Sequence, residues 1–276
     1  MAEKDPSYIH TYHAKEQDRL ERQADFLQAM IYERLDLSKS RKLLEIGCGT
    51  GAQTKILLES YPELSIHAVD ISKKQIEEAQ RNFENLSEIN QRVDFLHVPD
   101  GDLTVLVEDF DVVFICFVLE HSKDPLALLR QAYRHLKPGG QVILTEVNNT
   151  SLQIRPTKQA ILQYWDAFND YQRSLGGDPD VGLRVGQLLT TAGFDQVHTH
   201  FMGQHHDNRN PENKMLMFEY FCELMLSAKE GLLESNRISE ELVNDLVQSF
   251  DELKNVEESI FHYTGVQGWG FKPDPK

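Results

Sequence analysis

A glycine-rich stretch directly after an apolar run constrains the fold of this chain more than any other feature. Residues 43–46 read Leu-Leu-Glu-Ile, and the turn Gly47-x-Gly49-x-Gly51 follows at once. Closely spaced glycines let the backbone approach a ligand where any Cβ would collide, and a helix that begins there offers free N–H groups to an anion. The pattern therefore predicts a buried strand, a ligand-binding turn and a helix in an α/β sheet.

A carboxylate ends the second apolar run. Asp70 follows the glycine turn by about twenty residues, the position at which an acidic side chain binds ribose hydroxyls in nucleotide-binding sheets. The spacing of the glycines differs from the G-x-G-x-x-G of dinucleotide sites, and Glu45 stands two residues before the first glycine. A carboxylate there would repel the pyrophosphate of NAD and would attract the sulfonium and amino groups of S-adenosylmethionine. The residues favour the cationic cofactor.

These residues resemble the E-x-G-x-G-x-G motif and the ribose-binding acid of the class I S-adenosylmethionine-dependent methyltransferases. The resemblance covers most of residues 40–200 and includes residues 110–113, residues 117–121 and the turn at residues 136–140. It implies a Rossmann-like fold: a seven-stranded, mostly parallel sheet with helices on both faces and a helical cap. Family topology would make the last strand antiparallel and insert it between the fifth and sixth strands.

Most of the site that the resemblance implies concerns the cofactor. Glu45 would meet its methionine amino end, Asp70 its ribose, and Ile71 would form an apolar shelf under the adenine. We favour Asp100 over Asp102 for the adenine amine, although Asp100 could equally form a turn; Phe117 would lie beside the methionine portion or belong to the core. The predicted cofactor-binding residues are Glu45, Gly47, Cys48, Gly49, Gly51, Asp70, Ile71, Asp100, Gly101 and Phe117.

The catalytic and substrate residues are less constrained, because methyl transfer from a sulfonium depends mainly on positioning and on exclusion of water. His121 is a candidate general base near neutral pH, or a residue that orders its loop. An aromatic set at helical spacing in residues 164–171 is either core or a substrate wall, which would suit a cationic or planar acceptor. The predicted substrate residues are Tyr12, Tyr164, Trp165, Tyr171 and His205.

The run Gln204-His205-His206-Asp207 has three interpretations: a solvated loop, a substrate-facing base or a metal ligand pair. Successive side chains of a strand point to opposite faces, and no second ligand pair with zinc spacing accompanies the histidines. We therefore predict no metal site.

Composition limits the partners. The 276 residues carry a formal net charge of -16 and three dispersed cysteines. Nucleic-acid binders need clustered basic residues, and a disulfide framework or a zinc site needs more cysteines. No apolar run approaches the roughly 20 residues that span a bilayer, and the N-terminus shows no signal-peptide pattern. We expect a cytoplasmic protein with a small-molecule acceptor and no nucleic-acid or membrane partner, either monomeric or homodimeric.

Apolar runs and helical stretches alternate from residue 42 onward. Strands are predicted near residues 42–46, 65–70, 93–97, 111–116, 141–147 and 194–202, with a last strand from 259. Helices are predicted near residues 52–60, 73–84, 102–108, 123–135 and 184–192, with two more patterns in 211–256. The implied organisation is an N-terminal helical cover (1–36), a Rossmann-like core (37–147), a cap insertion (148–183), a core continuation (184–204), a second cap insertion (205–258) and the last strand with its tail (259–276).

The favoured function is methyl transfer from S-adenosylmethionine, by in-line displacement, to an oxygen, nitrogen or carbon of a small organic acceptor. A non-catalytic S-adenosylmethionine-binding protein is an alternative, since a fold does not by itself grant activity. An NAD-dependent oxidoreductase is a further one, which the glycine spacing and residues 137–140 disfavour.

Overall fold

A single mixed sheet organises the chain. The computed structural model describes residues 30–107 and 109–275. The strand order is β3-β2-β1-β4-β5-β7-β6, and among these strands β7 is antiparallel to both of its neighbours, β5 and β6. The strands are β1 (Lys42–Ile46), β2 (Ser65–Asp70), β3 (Val93–His97), β4 (Phe110–Cys116), β5 (Leu136–Arg155), β6 (Asp195–His206) and β7 (Ile260–Phe271). The predicted Rossmann-like sheet, with its last strand between the fifth and sixth, is confirmed.

Helices pack on both faces of the parallel part of the sheet. Alternating side chains of β1 serve the two faces: Leu44 packs in one hydrophobic cluster with Leu129, and Leu43 in another with Leu57. The helices are α1 (Ala52–Ser60), α2 (Lys73–Phe83), α3 (Ser87–Asn90), α4 (Pro125–His135), α5 (Gln159–Ser174), α6 (Val185–Ala192), α7 (Pro211–Leu226), α8 (Lys229–Glu234) and α9 (Glu240–Lys254). The predicted helix at residues 102–108 is only a 3-10 turn, Leu103–Val105.

Local caps explain where the core helices begin. The Ser72 side chain accepts a hydrogen bond from the Gln75 N–H at 3.4 Å, at the start of α2. Asp124 accepts from the Ala127 N–H at 2.9 Å, and Pro125 opens α4, where its missing N–H costs nothing. Both caps hold the helix N-termini next to the carboxyl ends of the strands.

The last strand, β7, extends further than its sequence suggests. Its second half contains glycines, which usually indicate a loop but are needed here because α6 packs closely against the strand. A Cβ on Gly268 would lie 2.2 Å from Val185 Cγ1, and one on Gly270 would lie 3.0 Å from Phe194 Cβ. Glycine weakens a strand in isolation but permits this approach of α6 and the segment after it. The strand therefore continues to Phe271 through residues that resemble a loop.

A second hydrophobic core lies beyond the parallel part of the sheet. Helices α5, α7, α8 and α9, which we call the cap, pack against the far ends of β5 and β7 through residues such as Phe218, Phe221 and Phe261. The expected boundaries at residues 148 and 205 fall inside β5 and β6, so continuous strands carry the cap. Three helices, rather than two, occupy residues 211–254.

The structure bears only in part on the expected N-terminal cover and on the expected lack of a membrane-spanning segment. The N-terminal cover at residues 1–36, including Tyr12, lies almost wholly outside the described residues. Among those residues, no helix is both long and apolar enough to cross a membrane.

Candidate functional site

The glycine turn has the backbone geometry that the sequence pattern requires. Gly47, Gly49 and Gly51 all have positive φ, of 75°, 53° and 83°. A Cβ on Gly47 would lie 2.4 Å from Val118 Cγ2, and one on Gly51 would lie 3.0 Å from Phe83, whereas a Cβ on Gly49 would meet nothing within 4 Å. Two of the glycines therefore permit close internal packing, and Gly49 presents bare backbone to open space.

That open space is a cleft of about 520 Å³ at the carboxyl ends of the parallel strands. Its volume lies within the roughly 300–1,000 Å³ typical of small-molecule sites, and parallel sheets bind ligands at this edge. The predicted residues that line it are Gly47, Cys48, Gly49, Asp70, Ile71, Asp100, Gly101, Phe117 and His121.

Asp70 connects the glycine turn to the start of α2. One carboxylate oxygen accepts a hydrogen bond from the Gly49 N–H at 2.9 Å, and the other accepts from the Ser72 N–H at 2.8 Å. The next residue, Ile71, leaves 50% of its surface exposed although it is large and apolar. A fixed carboxylate beside an exposed apolar side chain suits a ribose diol joined to a flat base.

The loop after β3 forms the opposite wall of this part of the cleft. Asp100 is exposed and lines the cleft, whereas Asp102 accepts the Thr104 N–H at 3.0 Å and caps a 3-10 turn. That hydrogen bond lowers the pKa of Asp102. The placement separates the two candidate carboxylates, because Asp102 is committed to its own turn.

Gln131 supports this loop, and the sequence offered no sign of its role. From α4 its amide oxygen accepts the Leu103 N–H at 2.8 Å, and its Nε2 donates to the Gly101 carbonyl oxygen at 3.1 Å. A glutamine in an amphipathic helix resembles any solvent-facing residue. Only the tertiary fold brings it to a loop 28 to 30 residues earlier in the chain.

Glu45 occupies a different place from the one expected. Only 2% of its surface is exposed, and its carboxyl accepts a hydrogen bond from the Thr54 hydroxyl at 2.6 Å. Burial raises the pKa of Glu45 to about 8; the hydrogen bond from Thr54 lowers it and the neighbouring Asp70 raises it further, and the net effect favours the protonated carboxyl. Within the described part of the chain, Glu45 and Gly51 lie behind the turn rather than on the cleft surface.

The segment after β4 bounds the other end of the cleft. Phe117 has a φ of 57°, rare for a bulky residue, and its N–H donates to the Thr145 carbonyl oxygen at 2.9 Å. The 3-10 turn Leu119–His121 follows, and His121 Nε2 lies 3.7 Å from Glu120 Oε1. His121 lines the cleft, with the Glu120 carboxyl group beside its ring.

Buried polar groups stand behind this segment. Glu120 accepts a hydrogen bond from Gln172 Nε2 at 2.8 Å, which joins the turn to α5. Glu146 is fully buried; burial and the nearby Glu120 raise its pKa, whereas hydrogen bonds from the main-chain N–H groups of residues 118–120 favour its charged form. Our sequence reasoning missed Glu146, although an acidic residue inside the apolar run 142–147 was a visible signal.

The aromatic set lies in the cap core instead of the cleft. Tyr164 and Trp165 are buried, and the Trp165 indole N–H donates to the Asn149 carbonyl oxygen at 3.0 Å. The guanidinium carbon of Arg237 lies over the Tyr171 ring, 5.7 Å from the ring centroid. Helical spacing placed these rings on the inward face of α5, so their predicted substrate role finds no support in this arrangement.

The paired histidines do not form a solvated loop. His205 and His206 belong to β6 and pair with His262 and Phe261 of β7, which corrects that interpretation. The side chain of His205 is 48% exposed, with Nε2 3.7 Å from Asp207. Among the described residues that line the cleft, neither histidine appears, and no group of three or more His, Cys, Asp or Glu there could hold a metal ion.

Known proteins are similar to this chain in sequence. A family model described as a methyltransferase domain matches residues 44–142. The chain is 33% identical over 121 residues to the biotin biosynthesis bifunctional protein BioHC of Teredinibacter turnerae, covering 42% of this chain and 21% of that protein. It is 25% identical to the malonyl-[acyl-carrier protein] O-methyltransferase of Paenibacillus sp., covering 85% of this chain and 84% of that protein.

A solved structure extends the comparison to the cap. The phosphoethanolamine N-methyltransferase 2 of Haemonchus contortus, in complex with phosphomonomethylethanolamine and S-adenosylhomocysteine, superposes with a TM-score of 0.57 at 19% identity. The match covers 92% of this chain and 53% of that one. At this identity the likeness shows the shared fold, including the region of the cap.

Proposed function

We propose, from the premise that the chain is a class I methyltransferase with S-adenosylmethionine as its cofactor, that it methylates an oxygen or nitrogen of a small organic acceptor. Relatives named for O-methyl and N-methyl transfer support an acceptor of this kind. The observation that carries the proposal is the cleft, where the bare backbone of Gly49, the fixed carboxylate of Asp70 and the exposed Ile71 lie together.

The residues present fit the cofactor in its three parts. Asp70 would bind the ribose hydroxyls, while Ile71 and Asp100 would hold the adenine. The methionine portion would lie along the glycine turn toward Phe117. When bound, the cofactor supplies an electrophilic methyl group on a positively charged sulfur. The protein's task is then to align the acceptor with that methyl group and to exclude water.

His121 is the described residue best placed to take a proton from the acceptor. His121 lines the cleft, and Glu120, whose Oε1 lies 3.7 Å from His121 Nε2, would hold the ring in orientation. An acceptor whose nucleophilic atom carries a proton needs such a base, and one that is already deprotonated does not. His121→Ala should therefore lower turnover most for hydroxyl acceptors and least for pre-ionised ones.

Calorimetry with S-adenosylmethionine, S-adenosylhomocysteine and NAD tests the first step. We expect binding of the two adenosyl sulfur compounds and none of NAD. A panel of small alcohols, phenols, amines and carboxylates, assayed by mass spectrometry for a gain of one methyl group, tests the second. Binding without any methylated product across the panel would contradict the proposed transfer and favour a non-catalytic binding protein.

A further inference from the structure

Glu146 holds the segment after β4, which bounds the end of the cleft where Phe117 and His121 lie. Glu146 itself is not among the residues that line the cleft. Its two carboxylate oxygens accept three successive main-chain N–H groups, from Val118 at 3.1 Å, Leu119 at 2.7 Å and Glu120 at 3.3 Å. Successive N–H groups that converge in this way form a nest for an anion. Here the group in the nest is the Glu146 carboxyl of the neighbouring strand β5, and the three N–H groups favour its charged form against the burial that raises its pKa.

The turn held by Glu146 carries a cleft residue at each end. Phe117 precedes the three N–H groups and His121 follows them, and both side chains line the cleft. The carbonyl oxygen of Thr145, adjacent to Glu146 on β5, accepts the Phe117 N–H. Two consecutive residues of β5 therefore fix the main chain from Phe117 to Glu120, and with it the position of both cleft side chains.

This turn needs support because its backbone is strained. A positive φ at a bulky residue such as Phe117 is unfavourable and persists only where the surroundings impose it. A carboxylate suits the task, since its two oxygens offer about four lone-pair positions and no donor. A glutamine there would offer one oxygen and direct an NH₂ group at N–H donors, leaving buried donors unpaired.

We propose that Glu146 is a positioning residue for methyl transfer: its carboxylate sets the turn so that Phe117 and His121 meet the acceptor and the transferred methyl group. This inference rests on the proposed function. It assigns to one buried side chain the alignment of the reacting groups, whereas the glycine turn, Asp70 and the loop after β3 hold the cofactor from the other walls.

The test compares Glu146→Gln with wild type in S-adenosylhomocysteine affinity and in acceptor kinetics. A displacement of about 1 Å at reacting groups can cost about 100-fold in rate, so we expect kcat to fall about 10- to 100-fold while cofactor affinity changes less than about threefold. Glu146→Asp retains a carboxylate and should recover part of the lost kcat. It also serves as the variant to measure if the glutamine variant does not fold.

Arg92, which directly precedes the edge strand β3, offers a matched control. Arg92 donates to three main-chain carbonyl oxygens, those of Leu58, Tyr61 and Leu64, at distances of 2.9 to 3.1 Å. Arg92→Met removes as many side-chain to main-chain hydrogen bonds, remote from the cleft. It should lower the unfolding temperature yet leave kcat unchanged. An equal loss of kcat in Arg92→Met and Glu146→Gln would overturn the inference, because stability alone would then explain both.

Hydrogen exchange of the peptide that contains residues 117–121, in the S-adenosylhomocysteine complex, gives a readout without turnover. Glu146→Gln should accelerate exchange there, while Arg92→Met should not. Unchanged exchange together with unchanged kcat would refute the role of Glu146. If wild type binds the cofactor and transfers no methyl group, the proposed function fails, and faster exchange in Glu146→Gln would still establish that this carboxylate holds the turn.

Discussion

The cleft half of the chain, residues 42–146, and the cap bury polar groups for different ends. In the cleft half, carboxylates of the strands bind main-chain N–H groups: Asp70 at the end of β2 binds that of Gly49, and Glu146 of β5 binds three in the turn after β4. In the cap region, the polar cluster around Asn149 joins side chains to one another: the Asn149 side chain receives the Tyr263 hydroxyl at 2.8 Å and donates to Asn169 at 2.8 Å.

This difference explains why one region has motifs and the other does not. A ligand held by main-chain groups demands particular backbone angles, and those angles demand glycine or a carboxylate at set positions. A core of packed rings demands only apolar volume, which many sequences supply. The cleft therefore requires particular residues at particular positions, whereas the cap requires only apolar side chains of suitable volume at helical spacing.

The first and largest test of this difference concerns the cost to stability of a side chain at Gly47. Gly47→Ala adds backbone strain at φ 75° and a Cβ 2.4 Å from Val118 Cγ2, so we expect a loss of about 3 kcal/mol in the free energy of unfolding. Gly203→Ala in β6, where an added Cβ meets nothing within 4 Å, should change it by less than about 1 kcal/mol. Urea unfolding of the cofactor-free variants measures both. Equal effects would show that the glycine turn is no more demanding than an ordinary strand position.

A second test concerns Asp70. Asp70→Ala removes the acceptor for two main-chain N–H groups and the proposed ribose contact. We expect S-adenosylhomocysteine affinity to fall about 100-fold, since hydrogen bonds to a charged group are worth about 1.5–3 kcal/mol each. Asp102→Ala, which removes a carboxylate that caps its own turn, should cost less than about threefold. Calorimetry that found the two variants alike would contradict the assigned ribose site.

A third test uses pH. The pKa of Glu45 is about 8 in the folded protein and about 4.3 in the unfolded chain, so between these values the folded state binds the extra proton. The free energy of unfolding should therefore fall as pH rises through that window, by up to about 1.4 kcal/mol per pH unit for this group. Glu45→Gln lacks that contribution, and its stability should decline less between pH 5 and 7. Parallel curves for variant and wild type in urea unfolding would show Glu45 to be ionised when folded.

Much of the cleft half could be predicted because its signals are local. The apolar runs of β1, β2 and β3 end at the predicted residues, and Ser72 and Asp124 mark the helix starts. Eight of the ten predicted cofactor residues line one cleft. The hydrogen-bond partners of Glu146 and Gln131 could not be predicted, even though Glu146 stands out in its apolar run, because those partners are main-chain groups at least 26 residues away.

The second half of β5, on which the cap packs, was not predicted as a strand for a related reason. Residues 148–151 read Asn-Asn-Thr-Ser, which is typical of a loop, yet β5 continues through them to Arg155. The pairing of β5 with β7 is irregular between Asn148 and Gln153, and its partners come from more than a hundred residues later, as Thr264 does for Asn148. No local pattern in a polar tetrapeptide reports such a partner, so the strand could not be distinguished from a turn.

Two tyrosines of the cap region offer the finest test of the comparison. The Tyr263 hydroxyl donates to Asn149 Oδ1, whereas the buried Tyr164 hydroxyl has no hydrogen-bond partner among the residues that the structure describes. Tyr263→Phe should cost about 1 kcal/mol in the free energy of unfolding, because it deprives a buried acceptor of its donor. Tyr164→Phe should be neutral or stabilising, since it removes a hydroxyl whose burial nothing offsets. If thermal unfolding instead showed Tyr164→Phe to be the more destabilising change, that hydroxyl would have a partner, and the cap core would be a polar network rather than bulk packing.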